Sequence, residues 1–244
     1  MPQVTFQFPP LTRDIRRYLI GIAVTYLVAV LVYLLSGFNN AVFVGWYFEP
    51  LALTASDVLG GRLWQLVTYP FVYAYPAVFD AFFAGLMIYF FGSMLQAAMD
   101  RRMVARALVV GLVAGGVGHV LLLSLAGLVW PELVGRPVYG AAFAADAVVA
   151  AACWRWRSRP MGFFGVPATG KGVLLFFIGL DVLMAIIGDA TRLAGSLSAI
   201  GAGVALIQFW TPLNTRWTLW KQRRKLRSIR GGKSDSDDPR KWMN

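Results

Sequence analysis

Charge, cysteine and histidine are all scarce in this chain of 244 residues. Only 14% of it is Asp, Glu, Lys or Arg, and it holds one cysteine and one histidine. The lone Cys153 has no partner in its own chain, which excludes a disulfide scaffold. The only histidine is His119. Nothing in the sequence points to a metal or a cofactor, and neither is expected. No internal repeat is found, which disfavours a transporter built from inverted halves.

What the chain has instead is apolar surface. It is 58% hydrophobic, with a mean hydropathy of +0.60. A soluble core of this size does not need that much, and the apolar residues come in long runs. A membrane-crossing helix needs roughly 20 of them in succession. Six segments qualify, at residues 18–36, 78–99, 103–129, 139–154, 172–190 and 194–210. The first follows Arg13, Arg16 and Arg17 and has the look of a secretion signal. It ends in Leu35-Ser-Gly-Phe38 without an A-x-A cleavage pattern, so it reads as a retained first helix.

Basic residues set the expected orientation. With both termini cytoplasmic, 20 of the 23 lysines and arginines fall on the inner side. Only Arg62, Arg136 and Arg192 lie outside. An odd number of spans would scatter these clusters over both faces. The net charge of +11 therefore does not imply nucleic acid. From Pro212 onward ten basic and three acidic residues account for +7 of it. This tail interleaves Trp217 and Trp220 with its cations and suits anionic lipid, at about 1 kcal/mol per basic residue. Beyond Gly231-Gly232 the chain reads as disordered.

The expected organisation is a cytoplasmic arm (1–14), a membrane domain (15–211) with an outer loop at 37–77, and the basic tail (212–244). Thr12 is a candidate N-cap for the first helix. The outer loop holds Trp46, Tyr47, Phe48, Trp64, Tyr69, Phe71, Tyr73 and Tyr75, too many rings for a purely solvated segment. The third apolar segment carries Gly111 and Gly115 at GxxxG spacing, which reads as a packing face. The fourth is rich in alanine from Gly140 to Ala152, and so thin enough for a bundle centre. The sixth carries Gly201 and Ala205, a small-x-x-x-small pair. Asp80, Asp146 and Asp181 sit in or near spans, where a carboxylate costs on the order of 3 kcal/mol.

Three stretches carry a family resemblance. Arg62-Leu-Trp64-Gln-Leu-Val-Thr68-Tyr-Pro-Phe71-Val-Tyr73 resembles the W-R-x-x-T-x-x-F-x-H segment of rhomboid intramembrane proteases. Ala84 to Gln96 resembles their N-x7-G-x-x-L-E helix through Gly92 and Leu95. Val138-Tyr-Gly140-Ala-Ala142-Phe143 falls where the family has Gly-x-Ser-Gly. The resemblance covers roughly residues 42–210. It implies an all-α integral membrane protein, a six-helix rhomboid-like bundle with a half-submerged, partly helical first outer loop. It also implies that Phe164-Gly-Val-Pro167 precedes the fifth helix.

The same resemblance places the chemistry and finds it missing. Ala142 stands at the nucleophilic serine, and Phe143 at the glycine after it, where a ring would crowd the backbone. The family's A-H-x-x-G fits Leu197-Ser198-Ala-Ile-Gly201, so Ser198 stands at the histidine. The oxyanion donors, spaced His-x-x-x-Asn, fall on Asp80 and Ala84. Gln65 and Gln96 replace an arginine and a glutamate of the structural motifs. Asp146 lies one turn after Ala142 on the same face; if Asp80 also faces that helix, the two acids share one former active site as a polar or proton-binding cavity, the alternative being that each is protonated or hydrogen-bonded to a neighbouring helix as structural glue. The expectation is a non-catalytic member, as derlins and inactive rhomboids are. It binds transmembrane segments of client proteins in the bilayer, with Asp80, Asp146, Trp64 and Phe143 as the binding residues. Two alternatives stand beside it. One is an active serine endopeptidase with a non-standard dyad, for instance through His119. The other is an acid-lined transport module.

Orientation is open to direct measurement. In a Cys153→Ala background, single cysteines at Asn39 and Ser228 should be labelled by an impermeant thiol reagent from opposite sides of the membrane. Labelling of both from the same side contradicts an even number of spans with this orientation.

Overall fold

The computed structural model describes residues 11–100, 102–163, 166–187 and 190–231. Helix α1 (Arg13–Leu35) opens on Thr12, whose hydroxyl accepts from the Ile15 amide at 3.4 Å, as an N-cap should. The same hydroxyl donates to Gln96 Oε1 at 2.6 Å, while Gln96 Nε2 reaches Asp14 at 3.5 Å. Gln96, at a motif position, thus ties the end of one long helix to the start of another.

Residues 37–77 fold into short helical pieces: α2 (Asn40–Phe43), a π-helical turn (Val44–Phe48), α3 (Glu49–Leu51), α4 (Ala55–Leu59), α5 (Gln65–Thr68) and a 3-10 turn (Tyr69–Phe71). The aromatic residues of this segment divide into two sets. Phe43, Tyr47, Phe48, Tyr69 and Tyr73 are buried, whereas Trp46, Trp64 and Phe71 are exposed.

The buried polar residue at the centre of this segment is Gln65. Its Oε1 accepts from the Thr54 amide at 3.1 Å, and its Nε2 donates to the Glu49 carbonyl at 3.2 Å and to Asp57 at 2.9 Å. Trp64 Nε1 donates to the Pro50 carbonyl at 2.9 Å and Thr68 Oγ1 to the Leu51 carbonyl at 2.8 Å. All three motif residues therefore pin α5 to the turn at 49–54.

Five long helices or stretches follow α5: α6 (Val78–Ala98), α7 (Arg102–Ala126), α8 (Ala142–Arg155), α9 (Gly170–Ile187) and α10 (Ala190–Gly231). The expected all-helical fold needs one addition, a two-stranded antiparallel hairpin of β1 (Pro160–Phe163) and β2 (Val166–Thr169), with Pro160 opposite Thr169. Pairing these strands satisfies backbone groups in the link between α8 and α9. Pro167 lies in β2; Phe164 and Gly165 lie outside the described residues.

Among the described residues five helices are long and apolar enough to cross a membrane: α1, α6, α7, α9 and the Ala190–Trp210 part of α10. The fourth expected span falls short of that length. α8 has 14 residues, about 21 Å at 1.5 Å per residue. Its start is set back because Gly140 adopts φ +79° and turns the chain. The sixth helix, expected to stop at 210, continues as helix to Gly231. Hydropathy reports preference for lipid, not helicity, and Lys, Arg, Gln and Leu are good helix formers. By internal contacts the chain divides into two compact units, residues 1–206 and 207–244. The second is described as the remainder of α10. The arm before Leu11 and the tail beyond Gly231, including its expected disorder, lie outside the described residues.

Within the first unit α8 is the centre. Its residues from Phe143 to Cys153 are buried apart from Asp146. Glycines allow its neighbours to come close. A Cβ at Gly111 of α7 would strike Ala147 and the Phe143 carbonyl; one at Gly203 of α10 would strike the Ala147 backbone. The outer segment is stitched to the start of α8. Leu53 and Val138 exchange backbone hydrogen bonds at 2.9 and 2.8 Å, and the Gly140 amide donates to the Tyr69 carbonyl at 2.9 Å. Tyr69 donates its hydroxyl to the Leu112 carbonyl at 2.7 Å.

Replacing Gln65 by leucine strands the Thr54 amide, the Glu49 carbonyl and Asp57. A stranded buried polar group costs about 1–3 kcal/mol, so the expected destabilisation is about 2–4 kcal/mol in reversible unfolding in mixed micelles. Acid should weaken the same segment. Burial alone raises the Asp57 carboxyl, but hydrogen bonds from Gln65 and Thr54 and the Arg62 charge outweigh it and hold it below its ordinary 3.8. Its contribution is therefore complete at neutral pH and is lost as the pH falls from 3.8 through the lowered value. In Gln65→Leu that acid-dependent loss should shrink.

Candidate functional site

The first turn of α8 is positioned from outside. Gly140 turns against the Tyr73 ring, and the next amide, Ala141 N, donates to the Tyr73 hydroxyl at 3.3 Å. Burial, with a smaller effect of Asp80, pushes that hydroxyl up to about 12 despite the opposing Ala141 hydrogen bond and the Arg192 charge. Tyr73 therefore stays a neutral phenol near neutral pH. Ala142 then starts the helix, facing a cavity of about 310 Å³ walled by α6, α8, α9 and α10.

The polar residues of this cavity are Asp80, Asp146, Asp181, Arg192 and Ser196. Asp80 lies in the first turn of α6, where the helix dipole favours an anion. It sits 3.8 Å from Arg192. Both side chains are partly exposed, so that pair contributes about 0–1 kcal/mol. Ser196 donates its hydroxyl to Asp146 at 2.7 Å. Three carboxylates thus share one guanidinium, and the cavity favours cationic or hydrogen-bond-donating ligands. Its remaining walls are apolar, with Phe83 and Met87 on α6 and Phe177, Leu180 and Met184 on α9.

One flank of the cavity is thinly closed. α9 buries only Gly170, Val173 and Leu174, all at its start. Further along, Leu183, Met184, Ile186 and Ile187 are exposed, as is Phe83 across the gap on α6. Phe91 and Phe177 meet edge to face at 5.4 Å and join the two helices at one level.

The structure brings together Asp80, Ala84, Ala142 and Asp146, four of the residues singled out from the sequence. Others lie elsewhere. Ser198 does not line the cavity: it donates to the Ala194 carbonyl at 2.8 Å and packs against Gly118 of α7. The α10 hydroxyl that does line it is Ser196, two residues earlier. Phe143 is buried, with its ring set between Gly115 of α7 and Gly195 of α10 rather than over the cavity. Trp64 serves the outer segment, as described above. His119 is buried and packs against Phe143 at 6.3 Å between ring centroids, away from the cavity lining.

Sequence reasoning missed Asp181, Arg192 and Ser196 as members of the site. The signal for Ser196 lay in the spacing Gly195, Ala199, Gly203, which marks the face of α10 that meets α8 and fixes which side chains adjoin it. Among the described residues no group of three His, Cys, Asp or Glu is placed to hold a metal ion.

No curated protein matches the chain. A family model described as the rhomboid domain matches residues 60–211, a span that runs from α5 through the candidate membrane part of α10 and contains every residue of the cavity. The chain belongs to the rhomboid family.

Proposed function

We propose that this rhomboid-like membrane protein is non-catalytic and that its acid-lined cavity, reached between α6 and α9, receives a transmembrane segment of a client protein. The observation that carries the reading is the pair of residues offered to the cavity by α8 and α10. Rhomboid proteolysis pairs a serine and a histidine on these helices. Here α8 offers Ala142, which has no nucleophile, and α10 offers Ser196, which is no base and whose hydroxyl is held by Asp146. Asp80 and Ala84, on the helix that supplies oxyanion donors in the family, carry an acceptor and a methyl group. Without such donors acyl transfer loses on the order of a hundred-fold or more for each one removed.

The shape of the site supports a helix as ligand. The exposed apolar side chains along α6 and α9 give a client helix a packing surface, and in lipid most of the affinity must come from packing. Asp146 or Asp80 adds a hydrogen bond or counter-charge for a polar residue in that helix. One such bond is worth about 0.6 kcal/mol on average, or about three-fold in affinity. Three acids in one cavity also favour a second reading, transport of a cation or proton.

Photocrosslinkers placed at Phe83 and Phe177 in native membranes should capture a defined transmembrane partner. Asp146→Asn should lower capture about three-fold, and Ala84→Phe, which fills the cavity, should lower it further. Gly85 makes a poor probe of this surface because it faces Leu19 of α1. Purified protein should not cleave transmembrane substrates, and Ala142→Ser alone should not confer cleavage. Capture of lipid only defeats the client reading. Cation flux that Asp80→Asn or Asp146→Asn abolishes then favours transport.

A further inference from the structure

A second cavity, of about 300 Å³, lies between α1 and α7. On α1 its wall is Tyr18, Gly21, Ile22 and Thr25, an i, i+3, i+4, i+7 stripe; on α7 the corresponding stripe runs from Ala105 to Leu112. The Thr25 hydroxyl donates to the Ile22 carbonyl at 2.9 Å, within its own helix. Ile88 of α6 and Ala144 of α8 also line the groove, with Phe71 contributed by the outer segment. The stripe from Tyr18 to Thr25 rises about 10 Å.

The two ends of the groove differ in charge. Arg17 lines the end at the start of α1. Its guanidinium side chain is 79% exposed, and it approaches Asp14 no closer than 3.9 Å. Arg102, also exposed, precedes Ala105 by one turn on the α7 stripe. Arg13, Arg16 and Arg106 belong to the same end of the two helices, against Asp14 and Asp100. The opposite end, by Phe71 and Leu112, has no charged lining residue.

An amphiphile with an anionic head and a hydrocarbon chain has this polarity. We propose that the groove binds one acyl chain of an anionic phospholipid, with its phosphate held by Arg17 and Arg102. Guanidinium groups suit that head because their paired N–H donors match phosphate oxygens. The site shares no lining residue with the acid-lined cavity.

The test uses the full chain in phosphatidylcholine vesicles carrying a minor fraction of phosphatidylglycerol with a diazirine on one acyl chain. Photolysis and peptide mass spectrometry locate the adducts. The wild type should be labelled on groove residues such as Ile22 and Leu108. Arg17→Gln and Arg102→Gln should each lower that labelling about five-fold, the equivalent of about 1 kcal/mol per basic residue near anionic lipid. Gly21→Leu should abolish it. A Cβ at Gly21 meets nothing within 4 Å, so this change fills the groove and leaves the bundle intact. Circular dichroism and elution volume should match the wild type for all three variants. Equal groove labelling by diazirine-bearing phosphatidylcholine overturns the proposal. So does labelling unchanged in the arginine variants, or adducts confined to the basic residues beyond 212.

Discussion

The close approach of α7 and α10 to the α8 backbone is the constraint on which the rest of the membrane domain depends. Lipid tails are as apolar as leucine, so burial of hydrocarbon does not drive helices together within a bilayer, and close van der Waals packing must do so. α8 meets that need with alanine at 144, 145, 147, 150, 151 and 152, all buried. Its neighbours meet it with glycine, Gly111 and Gly115 on α7 and Gly195 and Gly203 on α10. The GxxxG pair on the third apolar segment is thus a packing face between helices of one chain. Because α8 is short, its first turn is buried and must be held by other groups. The Tyr69 carbonyl and the Tyr73 hydroxyl do this, by accepting from Gly140 and Ala141. The outer segment accordingly serves as a clamp on the start of the central helix. Gln65 is the hub of that clamp, a role its place as a substitute for arginine did not reveal.

The parts of this structure legible in sequence were those governed by local patterns. Apolar runs located α1, α6, α7, α9 and the membrane part of α10. Thr12 marked the cap of α1, whereas Gly140, read as part of the fourth apolar segment, lies in the turn before α8. The i, i+4 relation of Ala142 to Asp146 put both on one face, and both line the cavity. What was not legible depended on contacts between distant elements. Ser196 and Ser198 differ by two residues, a rotation of about 200° around a helix, and no local feature says which faces α8. The packing of Gly195 and Gly203 decides it. Asp181 and Arg192 were visible as isolated charges, but their meeting with Asp80 and Asp146 requires the bundle. The length of α10 was missed for a different reason: charge ended the apolar run without ending the helix.

The cavity retains a frame and holds unusual contents. Three carboxylates and one arginine within a membrane domain are expensive, and the Arg192–Asp80 pair recovers little of that cost at 3.8 Å. Ser196 satisfies only one of the acids by a hydrogen bond. Such groups lower stability relative to apolar substitutes of similar volume. Their convergence on the gap between α6 and α9, where α9 is buried only at its start, fits a surface maintained for a ligand. The firm packing lies on the other side, where Phe143 fills the space between α7 and α10 and keeps its ring out of the cavity.

The central claim is that this rhomboid cavity binds and does no acyl-transfer chemistry. Its sharpest challenge is the hydrogen bond from Ser196 to Asp146, the one contact in the cavity that pairs a hydroxyl with a base. Treatment of native membranes with a fluorophosphonate probe, followed by peptide mass spectrometry of the full chain, tests this directly. A binding cavity gives no covalent adduct on any serine, Ser196 included. An adduct on Ser196 that disappears in Asp146→Asn would contradict it and identify an active hydrolase.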